Sequence, residues 1–175
     1  MDERTARMCL TAVVEPGHPV LADAVASFGA AQVWAGLLGA EGDLPIAERA
    51  RRLRPGDLVE RTRALRLRFV IPGDADWPSG LADLAGCEPV NELSGVPLGL
   101  WITGGGDLAP LADVSVAVVG SRASTAYGDT VSADLGAELS DAGRCVISGG
   151  AYGIDVAAHR GCLAGPTPSI GVLAS

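Results

Sequence analysis

Two segments of the sequence share one order of features: an apolar run of β-strand length, a loop rich in glycine and serine, and then a helical pattern. In the first segment, residues 114–119 are apolar at nearly every position, as expected for a strand buried on both faces. Residues 145–147 open the second segment, and residues 170–173 form a third apolar run. Strands that alternate with helices are typical of a parallel α/β sheet, so this region predicts strand–helix–strand–helix–strand.

Helical spacing separates these apolar runs. In the first helical segment an apolar side chain recurs at every fourth position: Tyr127, Val131, Leu135 and Leu139. The second segment repeats the pattern with Ile154, Ala158 and Cys162. Each segment therefore predicts an amphipathic helix with one apolar face, and Gly143 stands where a left-handed C-terminal cap would end the first helix.

The charge of the chain changes sign twice along its length. The chain has 175 residues, 13 arginines, no lysine and a net charge of −8, yet eight of the arginines lie within 49–68. We expect residues 1–68 to form a small helical N-terminal region of the helix-hairpin-helix or SAM-like kind, and residues 69–175 to form a Rossmann-like α/β domain with a parallel sheet. The helices expected in the first region lie at about 21–33, 46–53 and 58–67, and further strands are expected at 69–71 and 98–103.

Composition also indicates the compartment. The most apolar window, residues 21–40, is interrupted by Asp23, Gln32 and several glycines, so we expect no membrane span and no secretory leader. The four cysteines are far apart and form no CxxC pair, which fits neither a zinc site nor a dense disulfide framework. A cytoplasmic protein with reduced thiols and no bound metal is the expectation.

The two glycine-rich loops predict a phosphate-binding site. They lie at the carboxyl ends of neighbouring parallel strands, where open α/β sheets bind ligands, and each leads into a helix N-terminus that attracts anions. The guanidinium of Arg122 matches the geometry of phosphate. The candidate residues are Gly120, Ser121, Arg122 and Thr125 in the first loop and Ser148, Gly149, Gly150, Tyr152 and Gly153 in the second. The alternative is that the glycines only make turns and that Ser124 or Thr125 only caps a helix.

Two common nucleotide-binding patterns are missing. No GxGxxG follows the strand at 114–119, and a chain without lysine cannot contain a Walker glycine–lysine loop. NAD and ATP are therefore disfavoured, and we expect no cofactor.

The two loop segments resemble a known family. VAVVGSR (116–122), SGGAYGID (148–155) and AHRG (158–161), in that order, are similar to the DprA (Smf) family of DNA-processing proteins. DWP (76–78) and LWITG (100–104) are similar to the segments that precede the Rossmann sheet of that family. The resemblance extends over nearly the whole chain and is weakest in residues 1–68.

This resemblance implies a function. It implies a single-stranded DNA-binding protein of natural transformation and competence, which protects incoming strands and loads the RecA recombinase onto them, with no catalytic activity. DNA phosphates would bind in the pocket formed by the two loops, and the full-length form would be a homodimer. Because the sheet of the family continues beyond the strand that ends at Ser175, the chain is expected to be truncated within the Rossmann domain.

Several residues keep two interpretations. Many relatives have a basic residue where this chain has Tyr152, which either stacks on a base or supports the loop. Arg122 either contacts phosphate or pairs with Asp155. Asp155 and His159 are four residues apart on one helix and are expected to cap, pair or pack rather than to catalyse. The arginines within 49–68 are either a nucleic-acid-binding strip or, as we favour, a solvated helical face.

Two alternative functions remain open. A nucleotide or phosphosugar hydrolase of the phosphoribohydrolase kind would also place glycine-rich loops on a phosphate, but the Pro-Gly-Gly-x-Gly-Thr stretch of those enzymes is missing from the sequence. An inactive remnant that exposes an unpaired sheet edge and aggregates is the other alternative. For a DNA-binding protein, the net charge of −8 predicts modest binding that depends strongly on salt.

Overall fold

The computed structural model describes residues 1–42 and 44–173, and these form two compact units that divide between residues 105 and 106. The expected interruption of the sheet at Ser175 lies outside the described residues. Each unit has its own core. Residues 69–105 belong to the same compact unit as the N-terminal helices, whereas the sequence analysis groups them with the sheet. The division into functional domains at residue 68 stays a prediction.

The first unit is mainly helical. Its α-helices are α1 (Glu3–Val13), α2 (Pro19–Phe28), α3 (Ala30–Gly39), α4 (Pro45–Arg52) and α5 (Pro55–Ala64). Their buried side chains, which include Leu10, Val25 and Trp34, form one apolar core. The helices expected near 46–53 and 58–67 are confirmed with shifted bounds, whereas the single helix expected over 21–33 is divided between α2 and α3 at Gly29, whose φ is 80°. Helix α1 was not predicted.

Two strands of the first unit form a separate antiparallel pair. Strands β1 (Arg68–Val70) and β2 (Leu100–Ile102) are present close to their expected positions, but they pair with each other, with Phe69 opposite Trp101. The rings of these two residues are 4.9 Å apart. A short 3₁₀ helix, Ser79–Gly86, lies between the strands. Within the described residues these two strands therefore lie outside the parallel sheet, although the sequence assigns them to the same α/β region, 69–175.

The second unit contains the parallel sheet. Strands β3 (Ser115–Ala117), β4 (Cys145–Ser148) and β5 (Ile170–Gly171) lie in the order β3-β4-β5, and both pairings are parallel. Helices α7 (Ala126–Asp141) and α8 (Ile154–Ala164) connect them. The predicted Rossmann-like strand–helix–strand–helix–strand is confirmed. A six-residue helix, α6 (Leu108–Asp113), precedes β3 and was not predicted.

Helices α7 and α8 pack closely through small side chains. The buried residues of α7 are Ser132, Gly136 and Ser140. A Cβ on Gly136 would lie 2.3 Å from the carbonyl oxygen of Ala158, and one on Gly161 would lie 1.9 Å from that of Ala133. The two backbones therefore approach as closely as glycine allows.

The apolar face predicted for α7 is mostly exposed. Tyr127, Val131 and Leu135 are 79%, 46% and 43% exposed, while Leu139 packs partly against the core beside Val118 and Val146. The C-terminal cap is confirmed: Gly143 has φ 72°, its N–H donates to the carbonyl of Ser140, and the N–H of Arg144 donates to that of Leu139 at 2.8 Å.

Within the described part of the chain, no single helix has both the length and the apolar character needed to cross a membrane. Helices α2 and α3 lie at 115° to each other. Only when the two are taken together do they reach the length and apolar composition of a membrane span.

Candidate functional site

The first glycine-rich loop begins just beyond β3 and ends at α7. The Thr125 hydroxyl caps α7 by accepting the N–H of Gly128 at 3.1 Å, so the capping role considered for this residue is confirmed. The Ser121 hydroxyl accepts the N–H of Ala123 at 3.1 Å, and the Ser124 hydroxyl donates to the Asp129 carboxylate. These local hydrogen bonds hold the loop in one shape, because its own hydroxyl groups bond to nearby backbone N–H groups and to Asp129.

The second loop connects β4 with α8. Ser148 lies at the end of β4 and is only 4% exposed, and its hydroxyl donates to the carbonyl oxygen of Val118 at 2.5 Å. The side chain of Ser148 therefore joins β4 to the end of β3 and adds no hydroxyl to the loop surface. The expected contact between this hydroxyl and phosphate does not fit its position, because a buried hydroxyl already bonded to the backbone cannot reach a ligand.

The structure brings the two loops into direct contact. The N–H of Ile154, at the start of α8, donates to the carbonyl oxygen of Ser121 at 3.2 Å. Gly153 has φ 85°, and a Cβ there would lie 2.3 Å from the same carbonyl oxygen and 2.8 Å from that of Arg122. A Cβ on Gly120 would lie 2.7 Å from the Ile154 side chain. Glycine is therefore required at Gly120 and Gly153 for the loops to meet.

The paired loops present unsatisfied hydrogen-bond donors. Within residues 1–42 and 44–173, the backbone N–H groups of Gly120, Arg122, Gly150, Tyr152 and Gly153 have no acceptor. Those of the second loop immediately precede α8, where the partial positive charge of the helix end adds to the attraction for anions. Backbone donors with no internal partner, at a helix N-terminus, are the usual components of a phosphate-binding site.

Arg122 adds the one full positive charge of these loops. Its side chain is exposed and forms no hydrogen bond or ion pair with any described residue. The alternative pairing with Asp155 is therefore not observed. Asp155 is 8% exposed in the first turn of α8, and a Cβ on Gly149 would lie 2.8 Å from its Oδ2. Burial separates this carboxylate from the exposed guanidinium.

His159 is engaged with the backbone of the second loop. Its Nε2 lies 2.9 Å from the carbonyl oxygen of Gly149. That contact favours the tautomer in which Nε2 carries the proton and donates. The geometry fits the packing role expected for Asp155 and His159, since both support the loop from α8. In the part of the chain that is described, no group of three or more His, Cys, Asp or Glu side chains is placed to hold a metal ion.

Sequence reasoning did not single out Tyr127 as a surface residue. Tyr127 stands in the first turn of α7, directly after the first loop, and is 79% exposed, while Tyr152 in the second loop is 86% exposed. Tyr127 lies four residues before Val131 and eight before Leu135. This spacing predicted that Tyr127 belongs to an apolar helix face, so its exposure was not expected. Its position two residues after the capping Thr125 was the available signal, because such a residue stands at the edge of the loop.

The model of the family described as DNA recombination-mediator protein A matches residues 68–175, well over half of the chain. The chain belongs to this family, the DprA family. Two relatives from Mycobacterium tuberculosis, of strains CDC 1551 and H37Rv, carry the name DNA processing protein DprA. Each is 38% identical over an alignment of 159 positions, which covers 80% of this chain and 41% of the relative.

A solved DprA structure shows the same fold. The X-ray structure of DNA processing protein A (DprA) from Streptococcus pneumoniae superposes with a TM-score of 0.63 at 21% identity. The superposition covers 94% of this chain and 55% of the S. pneumoniae chain. This DprA-family chain thus spans about two fifths of the length of its M. tuberculosis relatives and a little over half of the S. pneumoniae protein.

Proposed function

We propose that this chain binds single-stranded DNA without catalysing a reaction, and that the paired loops hold the DNA phosphates. The observation that carries the proposal is the contact between the two loops, which places several backbone N–H donors beside the unpaired Arg122. A polyanion satisfies these donors and the guanidinium together. The residues proposed to face phosphate are Gly120, Ser121, Arg122, Gly149, Gly150 and Gly153, with Thr125 shaping the first loop and Tyr152 at the edge of the second.

A wider role follows from family membership. The family is described as a recombination mediator, which fits a protein that delivers single strands to a recombinase. We therefore propose that the longer family form, as a homodimer in the cytoplasm, protects incoming strands in natural transformation and loads RecA onto them. A pull-down of RecA with and without single-stranded DNA tests this role separately from DNA binding.

The charge of the chain sets how the binding should respond to salt. The chain carries a net charge of −8, and residues 69–175 contain 12 acids against three arginines. This field repels DNA at long range, while the loops attract a few phosphates at short range. Binding should therefore be modest in affinity and should weaken as the salt concentration rises.

The test is a fluorescence-anisotropy titration of a labelled single-stranded oligonucleotide at several salt concentrations, with Arg122→Ala beside the unmodified chain. If Arg122 contacts one phosphate, its removal should weaken binding and reduce the slope of log K against log salt by about 0.7. The matched control is Arg144→Ala, which removes the same charge just before β4, at the opposite end of α7. It should leave the slope unchanged.

Two further controls make the titration decisive. Circular dichroism and light scattering establish that each variant is folded and monodisperse, which tests the alternative of an aggregated remnant. A duplex of equal length tests whether the chain prefers single strands. A folded chain that does not bind single strands, or equal losses in Arg122→Ala and Arg144→Ala, would refute the phosphate site. The hydrolase alternative gains no support from His159, which contacts the Gly149 carbonyl; turnover of a nucleoside monophosphate would revive it.

A further inference from the structure

Both tyrosines of this chain are more exposed to solvent than most of its other aromatic residues. Trp34 and Phe69 are 3% and 7% exposed, and Trp101 packs against Phe69. Tyr127 and Tyr152 are 79% and 86% exposed. Neither hydroxyl has a hydrogen-bond partner within the described ranges. An exposed ring without a partner adds nothing to the core and leaves a large apolar surface in water.

The fold places these two rings on the two loops that meet. Tyr152 directly precedes Gly153, which contacts the backbone of Ser121 and Arg122. Tyr127 directly precedes Gly128, where a Cβ would lie 3.4 Å from the Cδ1 atom of Ile154. Each ring is therefore attached to the backbone beside the loop contact, next to the donors proposed for phosphate.

We infer that Tyr127 and Tyr152 are stacking residues for the bases of single-stranded DNA. The inference rests on the proposed function, since it assigns the bases to rings beside the loops that hold the phosphates. Every nucleobase has a π-face, so aromatic side chains beside a phosphate-binding surface bind single strands with little sequence preference. A duplex keeps its bases stacked on one another, so this arrangement gives a physical reason for preferring single strands.

Charge favours nucleic acid over an apolar protein partner for these rings. The unpaired guanidinium of Arg122 and the free N–H groups belong to the two loops at which the rings lie. An apolar partner that covered the rings would leave these donors buried without acceptors. A single strand supplies both the phosphates for the donors and the faces for the rings. A protein partner remains an outcome that the experiment separates.

The test compares a labelled oligonucleotide with an abasic strand of equal length, which keeps the phosphates but has no bases. The unmodified chain should bind the normal strand more tightly. Tyr152→Ala and Tyr127→Ala should each weaken binding of the normal strand about tenfold, the usual scale of one base–aromatic contact, and should leave binding of the abasic strand unchanged. Tyr→Phe at either position should retain affinity, because stacking needs the ring and not the hydroxyl.

Two reference variants complete the design. Arg122→Ala should weaken binding of both strands, since it removes a phosphate contact. Phe28→Ala removes a ring that is 65% exposed on the helical unit and should change neither affinity. Circular dichroism confirms that each variant is folded.

The outcomes separate this inference from the proposed function. Equal affinity for the two strands, with no effect of either alanine variant, would overturn stacking and leave the phosphate site intact. An equal loss on both strands in the alanine variants would assign the rings to loop support or to contact with another chain, and would also overturn stacking. No binding of either strand by the folded chain would overturn both proposals.

Discussion

The carboxylate of Asp74 shows how one residue links stability to pH in this chain. Arg4 donates to both of its oxygens, at 2.7 and 2.8 Å, and the N–H of Ile71 donates at 2.9 Å. The hydrogen bonds from Arg4 are the largest cause of a lowered pKa, which falls from 3.8 to about 2. The folded state therefore favours the ionised form more than the unfolded chain does.

The sign of the pH effect follows from this lowered pKa. The stabilising contribution is fully present above the unfolded pKa near 3.8 and is lost as the pH falls through about 2. Asp74→Asn should lower the free energy of unfolding by about 1 kcal/mol at pH 7, a figure reduced for solvent screening of the half-exposed Arg4. The difference from the unmodified chain should shrink below pH 4 and be lost as the pH falls below about 2. Urea unfolding across this range measures it.

The matched control is Asp23→Asn, which removes an exposed carboxylate that has no hydrogen-bond partner among the described residues. It should change the free energy of unfolding little. A difference for Asp74→Asn that stayed constant from pH 7 to pH 2 would show that the Arg4 contact does not act through ionisation.

At the same scale, sequence reasoning predicted the two glycine-rich loops at the strand ends but not the direction of each side chain. The close approach of the two loops at Gly120 and Gly153 could be expected, because glycine in a loop lets the backbone come close to its neighbours. The inward position of the Ser148 hydroxyl could not, since it depends on an acceptor thirty residues away, the carbonyl of Val118. Such non-local partners leave no trace in local spacing.

The pair α7 and α8 is the element whose packing depends most on small residues. The reciprocal contacts of Gly136 and Gly161 with backbone carbonyls allow the helices to approach without intervening side chains. Gly161→Ala should therefore destabilise the second unit by about 2 kcal/mol, because its Cβ would meet the Ala133 carbonyl at 1.9 Å. Urea unfolding followed by circular dichroism measures the change.

A glycine without neighbours provides the control for this prediction. A Cβ on Gly36, inside α3, would meet nothing within 4 Å, so Gly36→Ala should raise stability by about 0.5–1 kcal/mol through helix propensity alone. If Gly161→Ala were equally stabilising, close packing of the two helices would not be a determinant of the fold.

Some features of this helix pair could be predicted from the sequence, and others could not. The length of α7 and its cap at Gly143 were predictable, because both are encoded within the helix and its next turn. Its buried face was not, because fourfold apolar spacing indicated Val131 and Leu135, whereas contact with α8 selected small residues. The division of α2 from α3 was missed for a related reason: apolar spacing continues across Gly29, and only its positive φ ends the helix.

For the whole molecule, the topology could be predicted only where pairing is between successive elements. Strands β3, β4 and β5 follow one another with one helix between each pair, so their parallel order was expected. Strands β1 and β2 are separated by about thirty residues with only a 3₁₀ helix between them, and their antiparallel register was not visible in the sequence. Long separations of this kind leave the choice of partner to tertiary packing.

The net charge of −8 belongs to the whole molecule and leads to a prediction about association rate. Asp134 and Glu138 are exposed on α7, eight and twelve positions along the helix from its first residue, Ala126. At 1.5 Å rise per residue these carboxylates lie roughly 12–18 Å from the loop end of the helix. They are too distant to touch a phosphate in the loops, but they fall within the Debye length of about 30 Å at 10 mM salt.

Neutralising both acids, with Asp134→Asn and Glu138→Gln together, should therefore raise the association rate for single-stranded DNA about twofold at 10 mM salt, as expected for two unit charges at this distance in water. At 150 mM salt, where the Debye length is about 8 Å, the effect should disappear, and the dissociation rate should be unchanged at both concentrations. Stopped-flow anisotropy measures both rates. A gain that persisted at 150 mM, or one that appeared in the dissociation rate, would mean that these carboxylates act by direct contact, which would place bound DNA along α7 rather than at its N-terminal end.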